Sequence, residues 1–133
     1  MILRAGNTLY IPRGTLGTAH DHLYVVASSP AIDATDVVLL CVTTFDDYKD
    51  DSCLIQPSDC PDLDFITHLS CVDYRDPLIV PLDTILKLLA TKQIRSRSAI
   101  PEPLLQKVYR GAAESPFADP AAVAILDRQG CLP

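Results

Sequence analysis

The sequence predicts an α+β fold in which five or six short strands form a small barrel or coiled sheet and two or three helices, mostly C-terminal, pack against it. Three observations carry that expectation. Apolar runs of strand length, cut by clusters of Gly, Pro, Ser and Asp, occupy residues 8–80. Beyond residue 83 the apolar spacing changes to that of a helix. The length of 133 residues, 48% of them apolar, supplies enough surface for one compact core, so one domain is expected over 1–133, with 113–133 as a C-terminal helical extension.

Residues 8–12 form a β-favouring run, and the Arg13 to Ala19 segment after it carries two glycines, as a mobile loop does. Residues 22–27 give the next strand, ended by Ser28-Ser29-Pro30. Residues 37–44 are apolar without alternation, the pattern of a strand buried on both faces. Residues 46–51 are too charged to pack and read as an exposed loop, and residues 52–56 as a further short strand. Turn formers fill residues 57–64, after which residues 70–74 and 78–80 supply the last strands.

Asp83 is placed to cap a helix in which Ile85, Leu86, Leu88 and Leu89 define an apolar face, with Lys87 and Lys92 outside it. Pro101 opens a clearer helix, where Leu104, Leu105, Val108, Tyr109 and Ala112 recur at helical spacing and Gly111 weakens the end. Asp119 as cap, Pro120 at the first position and Gly130 as stop define a terminal helix.

Net charge is −6, which disfavours coating nucleic acid through bulk charge, since that rests on Lys and Arg neutralising phosphates. The charge is uneven. Residues 1–83 hold 4 basic and 13 acidic side chains, net −9, whereas residues 84–133 hold 7 basic and 4 acidic, net +3. The longest apolar run, residues 37–42, is far short of the roughly 20 residues of a membrane helix, so no membrane association is expected. The first residues lack the basic segment, apolar stretch and cleavage site of a signal peptide, so a cytoplasmic location is expected. Five cysteines, with no Cys-x-x-Cys pair, are then mainly free buried thiols.

Reactive side chains gather near predicted strand ends: His20-Asp21-His22, Thr43-Thr44, Asp59, Thr67-His68 and Tyr74. Histidine is the side chain best suited to move protons near neutral pH, so His20, His22 and His68 are candidates for acid or base. A zinc site from His20, His22, Cys53, Cys60, His68 and Cys71 has the ligand types without any standard spacing, so neither metal nor other cofactor is expected. Cys60 and Cys71 lie near His68, but the surrounding aspartates oppose a nucleophilic thiolate. The sequence contains no phosphate-binding Gly-x-x-x-x-Gly-Lys-Ser/Thr loop, no Gly-x-Gly-x-x-Gly and no Gly-x-Ser-x-Gly, which removes the commonest nucleotide-dependent and serine-hydrolase readings.

The order of segments resembles the MazF/PemK toxins, small SH3-like barrels of bacterial toxin-antitoxin systems. Ala5-Gly6-Asn7-Thr8-Leu9-Tyr10 is similar to that family's opening Arg-Gly-Asp-Ile/Val-aromatic strand. The Arg13 to Ala19 segment sits where the family has its substrate-facing loop, and residues 22–30 resemble its Arg-Pro-Val-Leu-Val-Val-Ser segment. Val37-Val-Leu-Leu-Cys-Val-Thr-Thr44 resembles the strand ending Ile-Thr-Ser/Thr, and residues 98–110 the closing helix. The resemblance spans about residues 5–112 and implies metal-independent RNA cleavage, homodimerisation and an antitoxin protein as partner. Thr43 matches the family's catalytic Thr, whereas Asp21 or His22 stands where the family has its catalytic Arg. Losing that cation removes charge stabilisation, often the largest catalytic contribution, so His20, His22 or His68 takes over as acid or base, or the chain binds without cutting.

Lys87, Lys92, Arg95, Arg97, Lys107 and Arg110 are the expected RNA tether. The rival reading is a non-catalytic interaction protein, such as a phage or mobile-element product, that docks on a host protein through its acidic half.

Overall fold

The computed structural model describes residues 2–133 and shows an α+β chain: a six-stranded, antiparallel, curled sheet with three helices. The strands are β1 (Thr8–Ile11), β2 (His22–Val26), β3 (Val37–Thr44), β4 (Leu54–Ile55), β5 (Ser70–Val80) and β6 (Arg95–Arg97), ordered β4-β5-β3-β2-β1-β6. The helices are α1 (Leu82–Ala90), α2 (Glu102–Glu114) and α3 (Pro120–Arg128).

β3 explains the architecture. Its unbroken apolar run is buried from Val37 to Val42, and strand alternation divides it. Val38, Leu40 and Val42 enter one hydrophobic cluster, while Val37, Leu39 and Cys41 enter another. The first cluster is closed by α2 and α3 through Leu104, Leu105, Val108, Tyr109, Ala122, Ile125 and Leu126. The second is closed by α1 through Ile85, with Leu82, Leu88 and Leu89 packed against it. The sheet is therefore covered on both faces, as the pattern of residues 37–44 required.

Residues 70–80, read as two strand segments, form one strand of 11 residues. What the sequence signalled as a break is a bulge: Leu39 pairs with Leu78 but Cys41 with Asp73, so Leu40 faces the four residues Tyr74, Arg75, Asp76 and Pro77. Proline fits there because a bulge residue owes no ladder hydrogen bond. The excursion leaves Arg75 and Asp76 exposed, and the Tyr74 hydroxyl donates to the Val108 carbonyl at 2.7 Å. The strand expected at 52–56 shrinks to Leu54–Ile55, and the sequence reading did not anticipate β6, whose three polar residues Arg95, Ser96 and Arg97 pair with β1 as an exposed edge.

Pro81, not Asp83, precedes α1; Asp83 lies in the first turn and pairs with Lys87 at 3.3 Å. α2 continues past Gly111 to Glu114. Gly111 does not fray the helix; it lets the helix approach β5, because a Cβ there would overlap the Tyr74 hydroxyl and lie 2.8 Å from the Cys53 Cβ. The terminal helix starts and stops where its signals lie: the Asp119 carboxylate accepts from the Ala122 N–H at 3.1 Å, and Gly130 takes a φ of 72° just after the last turn. Cys41, Cys53, Cys60 and Cys71 are buried free thiols, and Cys131 is half-buried. Among the described residues no helix is long and apolar enough to cross a membrane.

Candidate functional site

Two clefts open where β2 begins and β3 ends, and His22 and Thr43 line both. The register that pairs Leu23 with Val42 carries His22 to the level of Thr43, and Thr43 pairs in turn with Cys71. Directly paired residues share a face, so the imidazole, hydroxyl and thiol form a row across three strands. One residue further on, Thr44 points to the opposite face.

The first cleft, about 420 Å³, is lined by His20, His22, Thr43, Lys49, Asp73 and Arg75 among others. The His20 and His22 rings meet edge-on with centroids 5.9 Å apart. Lys49 comes from the loop 46–51 that the sequence reading set aside as too charged to pack. Its Nζ donates to the Thr44 carbonyl at 2.6 Å and to Thr43 Oγ1 at 3.5 Å, and pairs with Asp46 at 3.5 Å. Arg75 comes from the β5 bulge. Lys49 and Arg75 thus line the same cleft as Thr43, with Lys49 within 3.5 Å of its hydroxyl.

Burial first, then the charges of His20 and Lys49, hold His22 below the ordinary imidazole value of 6.5, against the opposing pull of Asp21 and Asp73. A neutral His22 is therefore the resting state at neutral pH. Its contribution to stability is complete above pH 6.5 and is lost as pH falls through the folded-state value. If His22 takes a proton during catalysis, the acid limb of a kcat/KM profile falls below pH 6.5, and a limb at or above 6.5 in a pH-rate titration removes His22 from that role.

The two cysteines that line the first cleft, Cys41 and Cys71, are held in the thiol form. Burial, then Asp73, pushes the Cys41 thiol up to about 12. Burial raises Cys71 to about 11. Both stay protonated at neutral pH. Cys60 lies inside the first hydrophobic cluster, where burial, then Asp59, raises its thiol as well.

The second cleft, about 440 Å³, is lined by Tyr10, Asp21, Thr44, Phe65, Ser70 and Arg97 besides the shared pair. Arg97 lies 4.9 Å above the Phe65 ring centroid and 3.4 Å from an Asp64 oxygen. His68 is exposed and lines neither cleft. His20, His22 and Thr43 thus line the first cleft, Thr44 lines the second with His22 and Thr43, and His68 lines neither.

The expected RNA tether is spread over three elements. Lys87 and Lys92 lie on and just after α1, Arg95 and Arg97 on β6, and Lys107 and Arg110 on α2, which covers the face opposite α1. Lys107 is 3.6 Å from an Asp59 oxygen. Of the six, Arg97 alone lines either cleft. Lys49 and Arg75, the cations that line the first cleft with Thr43, were missed because each is embedded among aspartates in sequence, and only the loop anchor and the bulge bring them to that cleft. Among the described residues no three His, Cys, Asp or Glu side chains group as a metal site.

No protein-family model matches the chain, and no curated protein or solved structure matches it.

Proposed function

We propose that the chain is a MazF/PemK-like toxin with an SH3-like barrel that cleaves RNA without a metal, at the cleft holding His20, His22, Thr43, Lys49 and Arg75. The observation that carries this reading is the juxtaposition across β2 and β3: a neutral imidazole at the level of a threonine hydroxyl, with a lysine 3.5 Å from that hydroxyl. That set can supply a base, a donor to phosphate and positive charge.

His22 takes the proton from a ribose 2′-hydroxyl, whose oxygen attacks the adjacent phosphorus. A bond from that oxygen to phosphorus forms as the bond to the 5′-oxygen breaks, and His20, acting as general acid, gives the leaving oxygen its proton. Thr43, Lys49 and Arg75 hold the phosphate oxygens, where negative charge builds in the transition state. The products are a 2′,3′-cyclic phosphate and a 5′-hydroxyl. An antitoxin protein partner, a homodimer and a cytoplasmic location belong to the same reading.

Purified protein incubated with mixed single-stranded RNA in EDTA is expected to release fragments ending in cyclic phosphate, and to leave DNA of the same sequence intact. Intact RNA, or cleavage only when a divalent metal is restored, overturns the reading. The rival, a binding module for a basic host protein, is favoured by the exposed carboxylates of Asp46, Asp47, Asp51, Asp62, Asp64 and Asp76. A salt-sensitive complex with such a protein, alongside intact RNA, is the outcome that selects it.

A further inference from the structure

We infer that Tyr48 and Phe117 form a stacking site for an unpaired nucleobase, so that the first cleft takes single-stranded RNA with one base held beside the reacting phosphate. This deepens the RNA-cleavage reading and rests on it. Single exposed apolar side chains need no explanation. Here two exposed aromatics line the same cavity, Tyr48 at 99% exposure and Phe117 at 47%, together with His20, His22 and Thr43. The Arg75 guanidinium lies 4.6 Å from the Phe117 ring centroid, adding a flat cation to the platform. Every base has a π-face, so such a platform accepts any sequence and requires only that the base be unpaired.

One carboxylate ties the segment that presents Phe117 to the end of the loop that carries Tyr48. Asp50 Oδ1 accepts from the Ser52 N–H at 2.9 Å and the Ser52 hydroxyl at 2.6 Å. Its other oxygen accepts from the Ser115 hydroxyl at 2.5 Å, and that hydroxyl accepts from the Phe117 N–H at 3.1 Å. Burial pushes the Asp50 carboxyl up, but the hydrogen bonds from Ser115 and Ser52 outweigh it and keep the group ionised. The Tyr48 loop is fixed at its other end by Lys49 on Thr44 and by the Tyr48 N–H on Asp46 Oδ1 at 3.0 Å. The ring of Tyr48 is thus held out with no intramolecular use, close to the groups that act on phosphate. Pre-organisation of this kind lowers the ordering cost of binding.

The test uses an uncleavable 2′-O-methyl oligonucleotide carrying the fluorescent base 2-aminopurine, which is quenched when it stacks. Wild type is expected to bind and quench it. Tyr48→Ala and Phe117→Ala are each expected to lose most of the quench and to bind about tenfold more weakly, the effect of removing one base-aromatic stack. Tyr48→Phe is expected to retain both, which separates the ring from the hydroxyl. If wild type cleaves RNA while both alanine variants bind and quench like wild type, the stacking site is wrong and the RNA reading survives. If wild type neither binds the oligonucleotide nor cleaves RNA, the RNA reading fails and takes this inference with it.

Discussion

Replacing His22 by Ala is expected to lower the rate of RNA cleavage about 10²–10⁴-fold with little change in binding, the usual scale for losing a positioned general base. The geometry makes Thr43 the partner to test beside it. Thr43 lines both clefts with His22, and its hydroxyl is within reach of Lys49. Thr43→Ala should lower kcat through weaker stabilisation of the charged transition state, and the double variant should lose much less than the product of the two single losses, as groups acting on one event do. His68→Ala is the discriminating comparison, because an exposed residue outside both clefts should change the rate by no more than about twofold. Single-turnover kinetics with saturating enzyme read the chemical step directly. A His68 effect as large as that of His22 would relocate the chemistry to the loop before β5.

The largest structural effect is expected at Gly111. Gly111→Ala inserts a methyl group where the Tyr74 hydroxyl and the Cys53 side chain already meet α2. Relief requires moving the helix or displacing Tyr74, which breaks its hydrogen bond to the Val108 carbonyl. Overpacking of about 1–3 kcal/mol, with the added loss of a buried hydrogen bond worth about 1 kcal/mol, sums to roughly 3 kcal/mol. For a chain of 133 residues this lowers Tm by about 10 °C. Ordinarily Gly to Ala inside a helix stabilises by about 1 kcal/mol, so the sign alone decides the matter. Adding Tyr74→Phe to Gly111→Ala should recover part of the loss, since removing the hydroxyl removes the nearest obstacle. A thermal melt in which Gly111→Ala equals or exceeds wild type would show that the helix is free to shift.

The parts of the fold most legible in the sequence were those whose signals are local. β3 declared burial on both faces through residues 37–42, and α3 declared both ends through Asp119, Pro120 and Gly130. β6 was illegible because Arg95, Ser96 and Arg97 carry no apolar alternation; they are a strand only because β1 offers an open edge. The β5 bulge was illegible for the converse reason. Pro77 reads locally as a break, and whether the strand resumes depends on its neighbour β3. The candidate site divides in the same way. His22 and Thr43 stand at strand ends that could be read, and their adjacency follows from the register. Lys49 and Arg75 could not be found from sequence, because their aspartate neighbours make each look like part of a solvated run, and only tertiary contacts distinguish them.

β3 has a consequence for how the molecule comes apart. Its alternate side chains belong to two different clusters, and its backbone is paired on both sides, with β2 and β5. Neither the α1 side nor the α2 and α3 side has a strand of its own at the centre to retain if the other melts. Loss of either face removes the support on which the other is packed, so the two layers rise and fall together as a single cooperative unit despite their separate covers.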